Sequence, residues 1–362
     1  MAAAPFLRVY LIRHGQSANN VLMDESAGAY HARRSADSPL TPLGEEQAAA
    51  TGAHLRTHAA TAPVPIRQLY CSAMVRAVHT ASIIGAAAGL APRVWPQVGE
   101  VGGVFEFLAD TGVAAALATR GVPGLSSTAL AAAFPTAILP PDASITPAGW
   151  YTGRMRETEA AAAARAHAVA VDLAAAAVRL TTAAAPGPHH ATPDAALPDV
   201  RARVRAAALR GRGPRRDAPA AGPPVPPAAA AAATPTAATS DASDTLVSEG
   251  EATGSDAGRH PGRSAKSSIG PHAVAIAVVT HGDFIDTLLR TLAVGGHRFP
   301  RAADAPPPTP PAALYYGTAN CGITAFDLFG NGALRILHIN DVSHLPPDRV
   351  SGCSAAVGAA TV

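Results

Sequence analysis

At 362 residues the chain is long enough for about two domains, but its 48% hydrophobic content leans on alanine and only 4% is aromatic, so the expected core is smaller than the length implies. Lys+Arg 28 against Asp+Glu 26 gives a net charge of +2, which disfavours a nucleic-acid or acidic-membrane binder, and no apolar run reaches the roughly 20 residues of a membrane span. The three cysteines, Cys71, Cys321 and Cys353, have no CxxC spacing, which argues against zinc or dithiol chemistry and suits a reducing compartment; with no signal or transit pattern, a cytoplasmic location is expected.

In chain order, Leu7 to Ile12 reads as a buried strand that stops at Arg13-His14-Gly15, and residues 16 to 40 read as a polar loop. Thr41 is placed as an N-cap and Pro42 as the first residue of a helix to about 58. Ile66 to Cys71 is a second strand, and Ser72 caps a helix over 73–88 that Gly89 ends. This alternation is the grammar of a layered α/β domain. A glycine-rich turn covers 99–103, the stretch from 104 to 145 yields no assignment, and a helix runs from Arg154 to about Leu180. From 181 to 271 the chain is rich in Pro and Ala, with an arginine cluster at 201–216 and an acidic stretch at 241–256, and it is expected to be a disordered insertion. The basic cluster reads as a solvated segment. Order resumes with a wholly apolar strand, Ala273 to Val279, a helix from Phe284 to about Leu292, a proline-rich loop at 302–311, and two closing strands over 322–328 and 334–339. The expected organisation is an α/β domain in two parts, 1–180 and 272–345, around the insertion, with a frayed tail at 346–362. Its architecture is a three-layer sandwich with a mostly parallel central sheet and helices on both faces.

Two strands end in histidine and glycine, at His14-Gly15 and at His281-Gly282. Ligands in open α/β sheets bind at the carboxyl ends of the strands, so both imidazoles are expected in one crevice. Arg76, in the first turn after the third strand end, is expected to face the same crevice. Arginines beside the histidines point to an anionic, phosphoryl-bearing substrate, because a guanidinium fork matches phosphate oxygens. No metal-ligand cluster is visible, and neither metal nor cofactor is predicted. His31, His54, His58, His79 and the pair His189-His190 receive no role.

Leu11-Ile12-Arg13-His14-Gly15-Gln16-Ser17-Ala18-Asn19-Asn20 resembles the signature of the histidine phosphatase superfamily, the phosphoglycerate-mutase-like proteins. Pro39 to Ala48 resembles the family's helix start, Cys71 to Thr80 its second arginine motif and Val279 to Gly282 its second histidine motif, while Asn320 and Ile339 to Asp341 resemble its closing strands. The likeness spans roughly 6–110 and 272–345. It implies that His14 is a nucleophile forming a phosphohistidine, that Arg13, Arg76 and His281 cradle the phosphoryl oxygens, and that Asn20 and the Gly282 amide bind beside them. The acid-base carboxylate implied by the resemblance is Glu100, with Glu106 as competitor. Gln16 departs from the glutamate common in the family. The segment after Asn20 lacks the mutase pattern, and Lys266 is the one lysine, so phosphatase is favoured over phosphomutase. A catalytically inactive phosphate-binding adaptor is the rival from another class. The expected partner is a small phosphomonoester or a phosphoprotein. Specificity is expected in 21–38 and 104–153, with Trp150, Tyr151 and Arg154 as lining or packing residues.

Overall fold

The computed structural model describes residues 5–61, 64–108, 119–183, 273–295 and 315–352, all within one compact unit of the chain. Its elements are β1 Phe6–Arg13, α1 Ala18–Glu25, α2 Ala27–Arg33, α3 Pro42–Thr61, β2 Ile66–Cys71, α4 Val75–Ala88, β3 Pro92–Val94, β4 Phe105–Phe107, β5 Thr119–Gly121, α5 Ser127–Ala133, α6 Glu159–Ala183, β6 Val274–Thr280, α7 Gly282–Gly295, β7 Ile323–Phe329 and β8 Leu334–Asp341. Six strands form the main sheet in the order β3-β2-β6-β1-β7-β8. The first four run parallel, and β7 and β8 are antiparallel additions at one edge.

The period of two along β1 sorts its side chains between two apolar layers. Phe6, Tyr10 and Ile12 face α3 and α4 through Leu55, Ala77, Val78, Ala81 and Ile84. Leu7, Val9 and Leu11 face α6 and α7 through Ala166, Val169, Ala170, Leu173, Phe284, Leu288 and Leu292. β6 is split the same way, with Ala275, Ala277 and Val279 on the first side and Ile276 and Val278 on the second. The architecture is thus the expected three-layer α/β sandwich on a mostly parallel sheet. The buried face of α6 is mostly alanine, with Ala166, Ala170, Ala174 and Ala177 beside Val169 and Leu173, which suits close packing in this layer.

Several boundaries differ from expectation for identifiable reasons. Residues 16–40 are not a plain loop: Ser17 and Ser26 each cap a short helix, α1 and α2, by accepting a backbone N–H. The α4 helix begins at Val75 rather than 73, with Met74, not Ser72, at the cap position; the Ser72 hydroxyl instead accepts the Met74 N–H and contacts His281. Its C-terminus is as expected, with Gly89 left-handed at φ 71. The unassigned stretch after 104 holds the antiparallel pair β4/β5 and α5, and the helix expected from Arg154 starts at Glu159. By length and composition alone Glu159–Leu180 is apolar enough to cross a membrane, which corrects the expectation that no such run exists. That helix instead lies against the sheet, and its apolar face is core. The chain from 346 is not frayed throughout: Pro347–Arg349 forms a 3-10 turn, and Gly352 reaches Arg13. The expected insertion, apart from the end of α6, lies outside the described residues, as do the loop at 302–311 and the tail beyond 352.

Candidate active site

β1 and β6 pair with Arg13 level with Thr280, so the next residues, His14 and His281, leave the sheet side by side at its carboxyl edge. Their ring centroids are 5.1 Å apart and both residues are buried. The turn after β1 is pinned by three backbone contacts: His14 N–H donates to Thr280 O at 2.9 Å, Gly15 N–H to Thr80 Oγ1 at 3.0 Å, and Gln16 N–H to Gln47 Oε1 at 2.8 Å. Gly15 presses on the start of α3, where a Cβ would stand 2.3 Å from Gly44 O.

The His14 ring has a defined tautomer. Nδ1 lies 2.7 Å from Gly15 O and must carry the proton, which leaves the Nε2 lone pair to accept from Arg76 Nε at 3.1 Å. Burial, then the Arg76 and Arg13 charges, hold its pKa well below 6.5, so the imidazole is neutral and nucleophilic at ordinary pH. Ser72 Oγ accepts from Met74 N–H at 3.3 Å and is hydrogen-bonded to His281 Nε2 at 2.7 Å. His281 Nδ1, the other ring nitrogen, is buried without a partner among the described residues. Burial followed by Arg76 keeps this second imidazole neutral as well.

Arg13 is anchored through Nη1 to Thr318 O and Gly352 O at 2.5 and 2.9 Å, while its Nε has no partner among the described residues. A Cβ on Gly282 would lie 3.4 Å from that Nε, and Gly282 opens α7, whose first N–H groups have no intrahelical acceptor. Asn20 Oδ1 accepts from Ser17 N–H at 3.0 Å and from Asn320 Nδ2 at 3.3 Å, which turns its amide nitrogen away from those contacts. Arg76 Nη1 is 3.8 Å from Asp37 Oδ1, and the same oxygen accepts Val75 N–H at 3.0 Å. Burial pushes the Asp37 carboxyl up to about 6 against the pull of Arg76.

Glu100 sits in the glycine-rich turn. Its Oε1 accepts Val101 N–H at 2.9 Å and Phe284 N–H at 3.1 Å. Arg165, paired with Glu157 at 2.6 Å, clamps the turn by donating to Gln97 O and Gly99 O at 2.8 Å and to Glu100 O at 3.1 Å. Burial and then the charge of Asp283 push the Glu100 carboxyl up to about 7, over the opposing pull of Arg76 and Arg13. Glu106 is placed differently: it pairs with Arg120 at 2.7 Å on the exposed face of β4 and does not border the cleft.

Arg13, His14, Asn20, Arg76, Glu100 and Gly282 all line one cleft of about 500 Å³, and His281 lies directly beneath through its contact with His14. Such a group can present a lone pair, four or more N–H donors and a protonated carboxyl to one anionic centre. Among the described residues no group of three or more His, Cys, Asp or Glu is placed to hold a metal ion. Trp150 and Tyr151 pack around the Glu100 turn and border a separate cavity of about 360 Å³; Arg154 borders neither space. Ser72, which the sequence offered only as a helix cap, and Asp37, Gln47, Arg165 and Ser351-Gly352 were not singled out as site residues, because each acts through a contact with a residue distant in sequence that no spacing rule encodes.

No curated protein matches the sequence. Among solved structures the chain is similar to a mycobacterial glucosyl-3-phosphoglycerate phosphatase (17% identity, covering 93% of this chain and 99% of that one, TM-score 0.37). It is also similar to Bacillus stearothermophilus YhfR (16%, 93% and 98%, 0.33) and to the ecdysone phosphate phosphatase of Bombix mori with tungstate (14%, 94% and 93%, 0.40). At these values they add nothing to the topology already described. The family model described as histidine phosphatase superfamily (branch 1) matches residues 9–118. That stretch takes in the Arg13-His14-Gly15 turn, Arg76 and Glu100 but stops far short of His281, which the pairing of β1 with β6 brings to the same place. Over the matched residues the chain is similar to the histidine phosphatase superfamily.

Proposed function

We propose that the protein hydrolyses phosphomonoesters through a covalent phosphohistidine on His14, with the buried, neutral, Nδ1-protonated His14 ring as the observation that carries the reading. Nε2 attacks phosphorus in line; the N–P bond forms as the bond to the ester oxygen breaks, and protonated Glu100 gives its proton to the departing alkoxide. Water then attacks the phosphohistidine, Glu100 takes back a proton, and the N–P bond breaks to release phosphate. Arg13, Arg76, His281, Asn20 and the Gly282 amide hold the three equatorial oxygens, where charge is spread in the transition state. Arg76 Nε leaves His14 Nε2 for a phosphoryl oxygen as substrate enters, so the resting contact keeps the nucleophile aimed.

This chemistry uses no metal or cofactor, and the substrate is a small phosphomonoester or a phosphorylated side chain. Buried, unbridged Cys71 and Cys321 fit a reducing, cytoplasmic setting. The catalytic unit is read as residues 1–180 and 272–345 with the structured turn through 352. The test is phosphate release from p-nitrophenyl phosphate with chelator present: the wild-type chain turns over, and His14→Ala loses about a thousandfold or more. Undiminished turnover by His14→Ala overturns the reading.

A further inference from the structure

Beyond the phosphoryl cradle, the cleft carries a second cationic wall. Arg34, which follows α2, lies with its Cζ 4.0 Å from the centroid of the Phe105 ring and 5.3 Å from that of Tyr30. Arg156 approaches the same Phe105 ring at 5.3 Å. Both arginines line the cleft that holds His14. Neither is ion-paired: the cleft's carboxylates, Asp24, Glu100 and Asp283, leave both guanidiniums unmatched among the described residues. Arg34 spends Nη1 on Phe105 O at 2.5 Å, and its buried Nε has no partner among the described residues. Aromatic faces fix a guanidinium by cation–π contact without neutralising it and leave its in-plane N–H groups free for an anion. The buried, unpartnered Nε of Arg34 is the N–H that an anion would complete, and Arg156 adds a second positive charge at the solvent-facing side of the same ring. The phosphoryl group is held by Arg13 and Arg76, so that anion belongs to the rest of the substrate.

We propose that Arg34 and Arg156 form a second anion subsite on the leaving-group side of the cleft, selecting phosphomonoesters whose leaving group itself bears a carboxylate or a further phosphate. The inference rests on the hydrolase reading above.

Two matched substrate pairs test it: phenyl phosphate against 4-carboxyphenyl phosphate, and propyl phosphate against propane-1,3-diol bisphosphate. For each, kcat/KM is measured directly, and Ki against p-nitrophenyl phosphate hydrolysis is measured in parallel, so that a slow ester still reports its binding. The expected result is a preference of about tenfold or more for the doubly anionic member of at least one pair. Arg34→Gln and Arg156→Gln each shrink that preference, and Arg34→Lys, which keeps the charge, retains part of it. Preference confined to the first pair identifies a carboxylate, and preference confined to the second a phosphate. Arg156 is exposed, so its variant reads out the subsite even if Arg34→Gln fails to fold. Equal handling of both members, or a preference that survives in both variants, overturns the subsite while leaving hydrolysis in place. If no ester is turned over and His14 is never phosphorylated, the hydrolase reading fails and the subsite with it.

Discussion

In the proposed mechanism, protonation of Glu100 governs the rate. With its carboxyl pushed up to about 7 by burial and by Asp283, it is largely protonated just below neutrality and able to donate to a leaving alkoxide. The formation of phosphohistidine needs the acid form, so its single-turnover rate with an alkyl phosphate falls as pH rises through about 7. Glu100→Gln, which cannot donate a proton, lowers that rate by about a hundredfold or more and removes the alkaline limb. p-Nitrophenyl phosphate, whose leaving group departs without a proton, is much less affected. Rapid-quench measurement of both esters across pH checks this. An unchanged alkaline limb in the variant assigns the acid to another group. The same residue shows why burial counts as chemistry: Glu106, only six positions away, is exposed and paired with Arg120, and has no such environment.

At the scale of elements, the start of α3 is held against the His14 turn by two glycines. Alanine is the better helix former by about 1 kcal/mol, so propensity alone favours Gly44→Ala. A Cβ there would fall 2.1 Å from Gln16 O, a backbone atom that cannot swing aside, and overpacking of that kind costs about 1–3 kcal/mol. Sterics win, and Gly44→Ala is expected to be net destabilising. Gly28 in α2 is the control: its nearest atom is Ser26 Oγ at 3.8 Å, and Gly28→Ala is expected to stabilise by up to about 1 kcal/mol. Urea midpoints of the two variants decide it, and a stabilised Gly44→Ala would contradict the close contact. Strands and long helices were legible because period and capping are local: β2 spans the expected Ile66–Cys71, and Gly89 closes α4. What was not legible depended on distant partners. Nothing near Ser72 announces that its hydroxyl is held by a histidine 209 positions on. Nothing in the last residues announces that Gln47 donates to Arg349 O and Ser351 Oγ, or that Gly352 O receives Arg13. The two histidines themselves were legible as strand ends, and the parallel pairing of β1 with β6 is what makes them neighbours.

At the scale of the whole molecule, all the residues assigned to the site lie outside 184–272. The last of them before that segment is Glu100, or Arg156 with the second subsite, and the first after it is His281. We expect a chain in which 184–272 is replaced by a flexible Gly/Ser linker of about 15 residues to hydrolyse p-nitrophenyl phosphate at a kcat/KM within about threefold of the full chain. Loss of turnover in a variant that still unfolds cooperatively would place part of the active unit in the replaced segment.

The proposed reaction turns on a covalent bond at His14 Nε2. The full chain is mixed with a phosphomonoester, quenched in acid within milliseconds, returned to base, digested and mapped by mass spectrometry for acid-labile, base-stable phosphate. One phosphoryl group is expected on His14, present in the wild-type chain and absent in His14→Ala. Steady turnover with His14 never labelled, on any timescale shorter than a catalytic cycle, would contradict it.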